Sequence, residues 1–216
     1  MKPTRILIIA KAPIPGFCKT RLAPAIGTEA AARLARRMLR DAVDAACIAS
    51  VGPVELCVTP GVDAFDWPSL GLPASVDWSD QGDGDLGARM GRAALRAVDA
   101  GEAVLLIGTD CPGLDAAVLR SATAALSDHD ATMVPTADGG YALLGLARFD
   151  ALVFADMPWS TDAVATLTRQ RLQQLGWRLH TLPTLHDIDE PADLRHLPAR
   201  WQAELPAPYP SEPSCT

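Results

Sequence analysis

A run of five apolar residues, Ala103 to Ile107, followed at once by Gly-Thr-Asp-Cys-Pro, is the feature that most constrains the fold. An uninterrupted apolar run of this length bounded by glycine reads as a strand buried on both faces, and such strands belong to parallel sheets covered by helices. A sheet of that kind gathers the carboxyl ends of its strands at one edge, where open α/β sheets bind ligands. Asp110 is the first ionisable group beyond this strand, and Pro112, with its fixed φ, turns the chain there. Position alone leaves three roles for Asp110: a carboxylate at the ligand crevice, the cap of a helix that starts near Asp115, or a solvated loop acid.

The rest of the chain repeats the pattern. Thr4 to Lys11 reads as a first buried strand. The loop after it, Ala12 to Pro24, carries Pro13, Pro15, Gly16 and Pro24 around the cations Lys19 and Arg21, so it is not expected to be regular. Thr28 is placed to cap a helix running to Ala49, with Leu34, Met38, Ala42, Val43 and Ala46 on its inner face and Arg33, Arg36, Arg37 and Arg40 on a solvated one. Further strands are expected at Val54–Thr59, Ala74–Trp78, Ala131–Pro135, Tyr141–Leu146 and Trp177–Leu182. Helices are expected from the Gln81–Gly87 loop through Ala100, from Asp115 to Ser127, from Thr161 to Leu175, and after Pro191. Strands 131–135 and 141–146, joined by the Asp138-Gly139-Gly140 turn, are expected to pair antiparallel. The alternation predicts a three-layer α/β/α domain with a mostly parallel sheet over residues 1–205. Four prolines from Pro206 onward predict a disordered tail over 206–216.

A chain of 216 residues buries enough surface to fold without disulfide or metal staples. The formal charge of −7 argues against nucleic acid as a partner, so any anionic ligand needs a local basic patch. Cysteines at 18, 47, 57, 111 and 215 are odd in number and show no CxxC or zinc spacing, which fits a reducing cytoplasm. No apolar run approaches the length of a secretory or membrane-spanning segment, so neither export nor insertion is expected. The three lysines, Lys2, Lys11 and Lys19, all fall near the start of the chain, two of them flanking the first loop, where a compact ammonium suits a phosphate.

Two familiar motifs almost match and are rejected on chemistry. The loop ending in Lys19-Thr20 has Pro13 and Cys18 where a P-loop needs glycine. Gly82-x-Gly84-x-x-Gly87 satisfies the dinucleotide spacing, but Asp83 and Asp85 would set two like charges against a pyrophosphate. The acids at 80, 83 and 85 also lack calcium-loop spacing. What remains is a constellation that a parallel sheet brings to one edge: the cationic loop after the first strand, Asp110 after the central one, and His186-Asp187-Ile188-Asp189 after the last. Two carboxylates sharing Mg2+ or Mn2+ with substrate phosphates, with Lys or Arg beside them, make a nucleotide-diphosphate site.

Several stretches carry a family resemblance in order: AKAPIPGFCKTRLAPAIG (10–27), QGDGDLGARM (81–90), LLIGTDCPGL (105–114), DGGYALLGL (138–146), PWST (158–161) and DIDEPADL (187–194). Over residues 4–197 the chain resembles a bacterial family of glycosyltransferase-A-fold proteins labelled as glycosyltransferases and tied in some genomes to arsenosugar biosynthesis. It is more distantly similar to guanylyltransferases of deazaflavin and molybdenum cofactors. The resemblance implies a nucleotide-activated donor, a small-molecule acceptor and a protein that is a monomer or homodimer. It places Lys19 and Arg21 on the donor phosphates, with Ala10 and Lys11 nearby, and Gln81, Asp83 and Asp85 on base or ribose, the last three having helix capping as their other role. It makes Asp110 and Asp189 the metal ligands. Asp138, Gly139, Tyr141 and Trp159 face the acceptor, Asp138 being the first choice of general base; Asp110, Asp138 and Lys19 make the catalytic set. One departure stands out: the Asp-x-Asp signature of glycosyltransferases is here Asp110-Cys111-Pro112, one carboxylate short. That departure counts against glycosyl transfer and keeps nucleotidyl transfer, releasing pyrophosphate, alive; the resemblance still makes glycosyl transfer the first expectation, with nucleotidyl transfer and a non-catalytic nucleotide-binding module as alternatives.

Overall fold

The computed structural model describes residues 2–205; the tail expected to be disordered, 206–216, lies outside the described residues. In chain order the elements are β1 (Thr4–Lys11), α1 (Ala23–Ile26), α2 (Thr28–Ala49), β2 (Val54–Thr59), β3 (Asp77–Asp80), α3 (Leu86–Asp99), β4 (Ala103–Ile107), α4 (Ala116–Ala125), β5 (Ala131–Pro135), β6 (Tyr141–Leu146), α5 (Val164–Gln174), β7 (Leu179–Thr181) and α6 (Ala199–Gln202), with 3-10 turns between several of them. The strands form one sheet in the order β3-β2-β1-β4-β6-β5-β7. Only β6 runs against its neighbours; β1 pairs parallel with β2 and β4, β2 with β3, and β5 with β7.

All five residues of β4 are buried, and the period of two sorts them to opposite faces. Leu105 and Ile107 pack with Ile6, Ile8, Leu56 and residues of α2 and α4. Val104 and Leu106 pack with Leu7, Leu144, and Met90 and Ala94 of α3. Each such aliphatic side chain contributes about 1.5–3 kcal/mol by leaving water, so a polar substitution on either face of β4 is unfavourable. A third, smaller core lies off the sheet, where Ile188 is enclosed by Leu22, Ile26, Leu34, Met38, Leu197 and Trp201.

Several local expectations shift. Thr28 is the first residue of α2, and the cap position is Gly27, at φ +81° and with no side-chain bond. Pro24 sits inside the one-turn helix α1, where its missing N–H costs nothing because the first turn's donors have no intrahelical partner. The third strand lies at Asp77–Asp80 rather than 74–78, because Glu55 to Val58 of β2 set its register. Helix α5 starts at Val164 rather than Thr161, and β7 is shortened to Leu179–Thr181. The arginine face of α2 is only partly solvated: Arg37 lies over the Trp201 ring at 4.5 Å and pairs with Glu204, and Arg36 bonds the Ser69 carbonyl.

Candidate nucleotide and acceptor site

The parallel strands deliver their carboxyl ends to one edge, where a cavity of about 530 Å³ opens, within the range of small-molecule sites. Asp110, Asp189 and Arg21 line it, as do Asp138, Tyr141 and Trp159. Ile9, Leu86, Met90 and Leu106 supply apolar wall.

The Ile188 peptide ties the two acidic loops together. Its N–H donates to the Asp110 carbonyl at 2.8 Å, and its carbonyl accepts from Lys19 Nζ at 2.6 Å. Its side chain is fully buried in the third core, so the loop carrying Asp187 and Asp189 is fixed by packing as well as by hydrogen bonds. The loop is also joined to the end of β5 through Leu185, which bonds Pro135 and Ala137. Asp110 caps no helix; Asp115 does that, accepting from Ala117 N and Val118 N.

Lys19, expected on a donor phosphate, is placed differently. Its side chain is 5 % exposed, and Nζ lies 2.9 Å from Asp110 Oδ1 and 3.6 Å from Asp189 Oδ1. Of the three donors of the ammonium, one bonds the Ile188 carbonyl, and the charge pairs with Asp110 and, more loosely, Asp189. Its backbone takes the left-handed region, φ +47°, which turns the loop inward. Lys19, together with Arg21 on Asp189, offsets the charge of the two carboxylates in the absence of a divalent ion. Arg21 stays at the surface of the cavity, bonding Asp189 Oδ2 at 2.7 Å and reaching Glu190 at 3.9 Å. Lys11 is turned away, with Nζ 4.1 Å over the Phe17 ring, and does not line the cavity.

The Gln81–Asp85 loop is braced rather than presented. The Gln81 amide, 5 % exposed, donates to the carbonyls of Ala10 and Cys57, knitting the ends of β1 and β2. Arg89 holds Gly84 O, and Arg92 holds the carbonyls of Gln81 and Asp83. Asp85 is the N-cap of α3, accepting from Ala88 N at 2.8 Å. Of the expected base and ribose ligands, only Asp83 keeps a carboxylate without a bond among the described residues. The glycine spacing has a packing cause: a Cβ on Gly87 would stand 3.0 Å from the Trp159 indole.

Asp138 accepts from Thr136 Oγ1 at 2.6 Å and Gly140 N at 2.9 Å, both on Oδ1, so Oδ2 is left for a ligand. Gly139, at φ +90°, lets this turn press on α5: a Cβ there would lie 2.2 Å from the Asp162 carbonyl oxygen, and Gly139 O accepts from Ala165 N. The Tyr141 ring reaches the cavity, whereas its hydroxyl is buried without a partner among the described residues, and burial raises its pKa. Trp159 lines the cavity, and its indole N–H is likewise buried and unpartnered.

Asp187, part of the acidic turn named in the sequence but given no role there, and Asp162, which the sequence did not single out, also line the cavity. Burial, then the nearby Asp138 carboxylate, raises the Asp187 pKa above the usual aspartate range. Asp187 stands in the acidic loop already singled out, so proximity to Asp189 was the available signal. Asp162 gave none, because its place depends on the docking of the α5 start against Gly139. Cys111 is at the cavity with its thiol bonded to His186 O, and burial pushes its pKa up to about 11.

A family model described as "Uncharacterized protein conserved in bacteria (DUF2064)" matches residues 28–161. The chain belongs to this family. Among solved structures it is similar to a "putative nucleotide-diphospho-sugar transferase" from Desulfovibrio desulfuricans G20, with 31 % identity and a TM-score of 0.80 over 88 % of this chain and 84 % of that one. The fold also matches 4-diphosphocytidyl-2C-methyl-D-erythritol synthase from Anaerococcus prevotii DSM 20548, at 13 % identity and TM-score 0.58, over 94 % and 98 % of the two chains. A third likeness is to Rv0371c of Mycobacterium tuberculosis H37Rv, solved in complex with manganese, at 17 % identity and TM-score 0.51 over 91 % and 98 %. No curated protein matches the sequence. The fold is that of nucleotide-diphospho-sugar transferases. Among the described residues no helix is long and apolar enough to cross a membrane.

Proposed function

We propose that the protein is a metal-dependent transferase that moves a glycosyl group from a nucleotide sugar to a small-molecule acceptor. The observation that carries this reading is the convergence, on one cavity, of the Asp110–Asp189 pair and Arg21 with Asp138, Tyr141 and Trp159. The similarity to the Desulfovibrio protein supports the transferase class and the nucleotide-sugar donor. The arsenosugar-associated type that the motifs resemble supplies a first set of donors and acceptors to try.

The residues fit a hard divalent cation. Among the described residues no cluster of three His, Cys, Asp or Glu side chains forms, but magnesium and manganese are commonly held by one or two carboxylates, with water and substrate phosphate completing the shell. Asp110 and Asp189 would hold the ion, and when bound it supplies neutralising charge to the departing diphosphate. Arg21 meets the same phosphates from the cavity surface. Lys19 holds the two carboxylates together until the ion competes for their oxygens, which makes it a positioning residue. The free Oδ2 of Asp138 accepts the acceptor's hydroxyl proton, and the apolar wall of Ile9, Leu86 and Met90 keeps water from competing. Most of the acceleration comes from holding donor and acceptor together and from charge placed before the reaction begins.

A second reading, nucleotidyl transfer releasing pyrophosphate, is favoured by one feature, the single carboxylate in Asp110-Cys111-Pro112. Both readings are tested by a thermal-shift screen of nucleotides, nucleoside triphosphates and nucleotide sugars with and without manganese, because a ligand of the native state raises apparent stability by mass action. The best ligand is then titrated calorimetrically. Manganese and nucleotide should tighten each other by the same factor, and Asp110→Asn should abolish that coupling. Equal nucleotide affinity in chelator and in manganese refutes the metal-dependent reading. Binding of both with no turnover of any donor leaves a nucleotide-binding module.

A further inference from the structure

The charge on the cavity wall limits what the acceptor is, and this inference rests on the reading above. Five carboxylates line the cavity: Asp110, Asp138, Asp162, Asp187 and Asp189. Among the described residues Arg21 is the only cationic side chain on the wall, and it is already paired with Asp189 and near Glu190. Lys19 lies behind the wall, bonded to Ile188 O, ion-paired with Asp110 and more loosely near Asp189. A divalent ion at Asp110 and Asp189 leaves Asp138, Asp162 and Asp187 without a counter-charge, and a donor diphosphate brings further negative charge. An acceptor bearing phosphate or carboxylate would enter a negative field with nothing to receive it. In a partly enclosed site that repulsion is screened far less than in water.

A second observation concerns the rest of the wall. Tyr141 and Trp159 line the cavity beside these carboxylates, and aromatic faces next to acids are the surroundings in which an organic cation is held. We propose that the acceptor is a hydroxyl compound without phosphate or carboxylate, and that a positive charge on it strengthens binding. Asp162 is the specificity-determining side chain within this set. It is exposed, it bonds no neighbour through its carboxylate among the described residues, and its backbone lies against Gly139.

The test uses one ring with three charges. The full chain is saturated with manganese and with the nucleoside diphosphate that gives the largest thermal shift, and then titrated with glucosamine, glucose and glucose 6-phosphate, dissociation being followed by ligand-observed NMR. Glucosamine is expected to bind at least ten-fold more tightly than glucose 6-phosphate, with glucose between them. Asp162→Lys, at a position whose side chain supports no other, should reverse that order with an unchanged melting temperature. Glucose 6-phosphate binding as tightly as glucosamine overturns the proposal. So does an unaltered order in Asp162→Lys, or binding of none of the three sugars to the loaded protein. Failure of manganese and nucleotide to bind at the first step refutes instead the reading on which the proposal rests.

Discussion

Replacing Lys19 by Met tests whether the ammonium is what lets Asp110 and Asp189 stand together. Methionine keeps the length and apolar bulk of the stem, so no cavity opens. What is lost is one charge-assisted bond to the Ile188 carbonyl at 2.6 Å and the ion pair with Asp110 at 2.9 Å, with a looser contact to Asp189. A hydrogen bond to a charged group is worth about 1.5–3 kcal/mol. The carboxylates are 51 % and 40 % exposed, so water takes over part of their solvation and the repulsion between them is screened. The net loss should be about 2–3 kcal/mol, or roughly 5–10 °C in melting temperature for a chain of this size. Urea unfolding followed by tryptophan fluorescence, with and without millimolar manganese, measures it. Because the ammonium and a divalent cation compete for the same oxygens, manganese should restore more stability to Lys19→Met than it adds to the wild type. A variant as stable as the wild type, or one no more responsive to manganese, refutes the assignment of Lys19 as the neutralising group.

The remaining predictions address the supports of the site. Gly139→Ala forces a Cβ to within 2.2 Å of a backbone oxygen at a φ of +90°, so it should lower stability by more than about 2 kcal/mol in a chemical melt and weaken acceptor binding more than nucleotide binding. Asp85→Ala removes the cap of α3 and should cost about 1 kcal/mol without changing nucleotide affinity; a loss of affinity in calorimetry would return Asp85 to the ribose. Burial raises the thiols of Cys57 and Cys111 to about 11, so both are neutral at pH 7.5, and their alkylation, followed by mass spectrometry, should accelerate about ten-fold per pH unit up to that value. Nucleotide and acceptor should protect Cys111, which lines the cavity, and leave Cys57 unaffected.

The order of elements was legible because it is written in short-range pattern. The bounds of β1, β2, β4, β5 and β6 and of α2 follow from apolar runs and helical spacing, and the antiparallel insertion of β6 follows from the Asp138-Gly139-Gly140 turn. The edge that gathers Asp110, Asp189 and Arg21 follows in turn from the parallel sheet, since a strand's direction decides where its loop emerges. What sequence could not give is which polar groups are already spent. Lys19 and Arg21 are two residues apart with the same formal charge, yet one is buried against Asp110 and the Ile188 carbonyl and the other faces the cavity. Gln81 and Asp85 sit in one motif, yet both are consumed in holding backbone. The difference is made by residues with no chemistry of their own. Ile188 reads in sequence as a spacer between two aspartates, but its burial among Leu22, Ile26 and Trp201 fixes the peptide that links Asp110 to Lys19. Gly87 and Gly139, which match a nucleotide fingerprint and a turn, are the points where Trp159 and the start of α5 close on the cavity. The geometry of the charged groups is therefore set from beneath by apolar and glycine contacts between segments far apart in the chain, and sequence pattern does not reach across that distance.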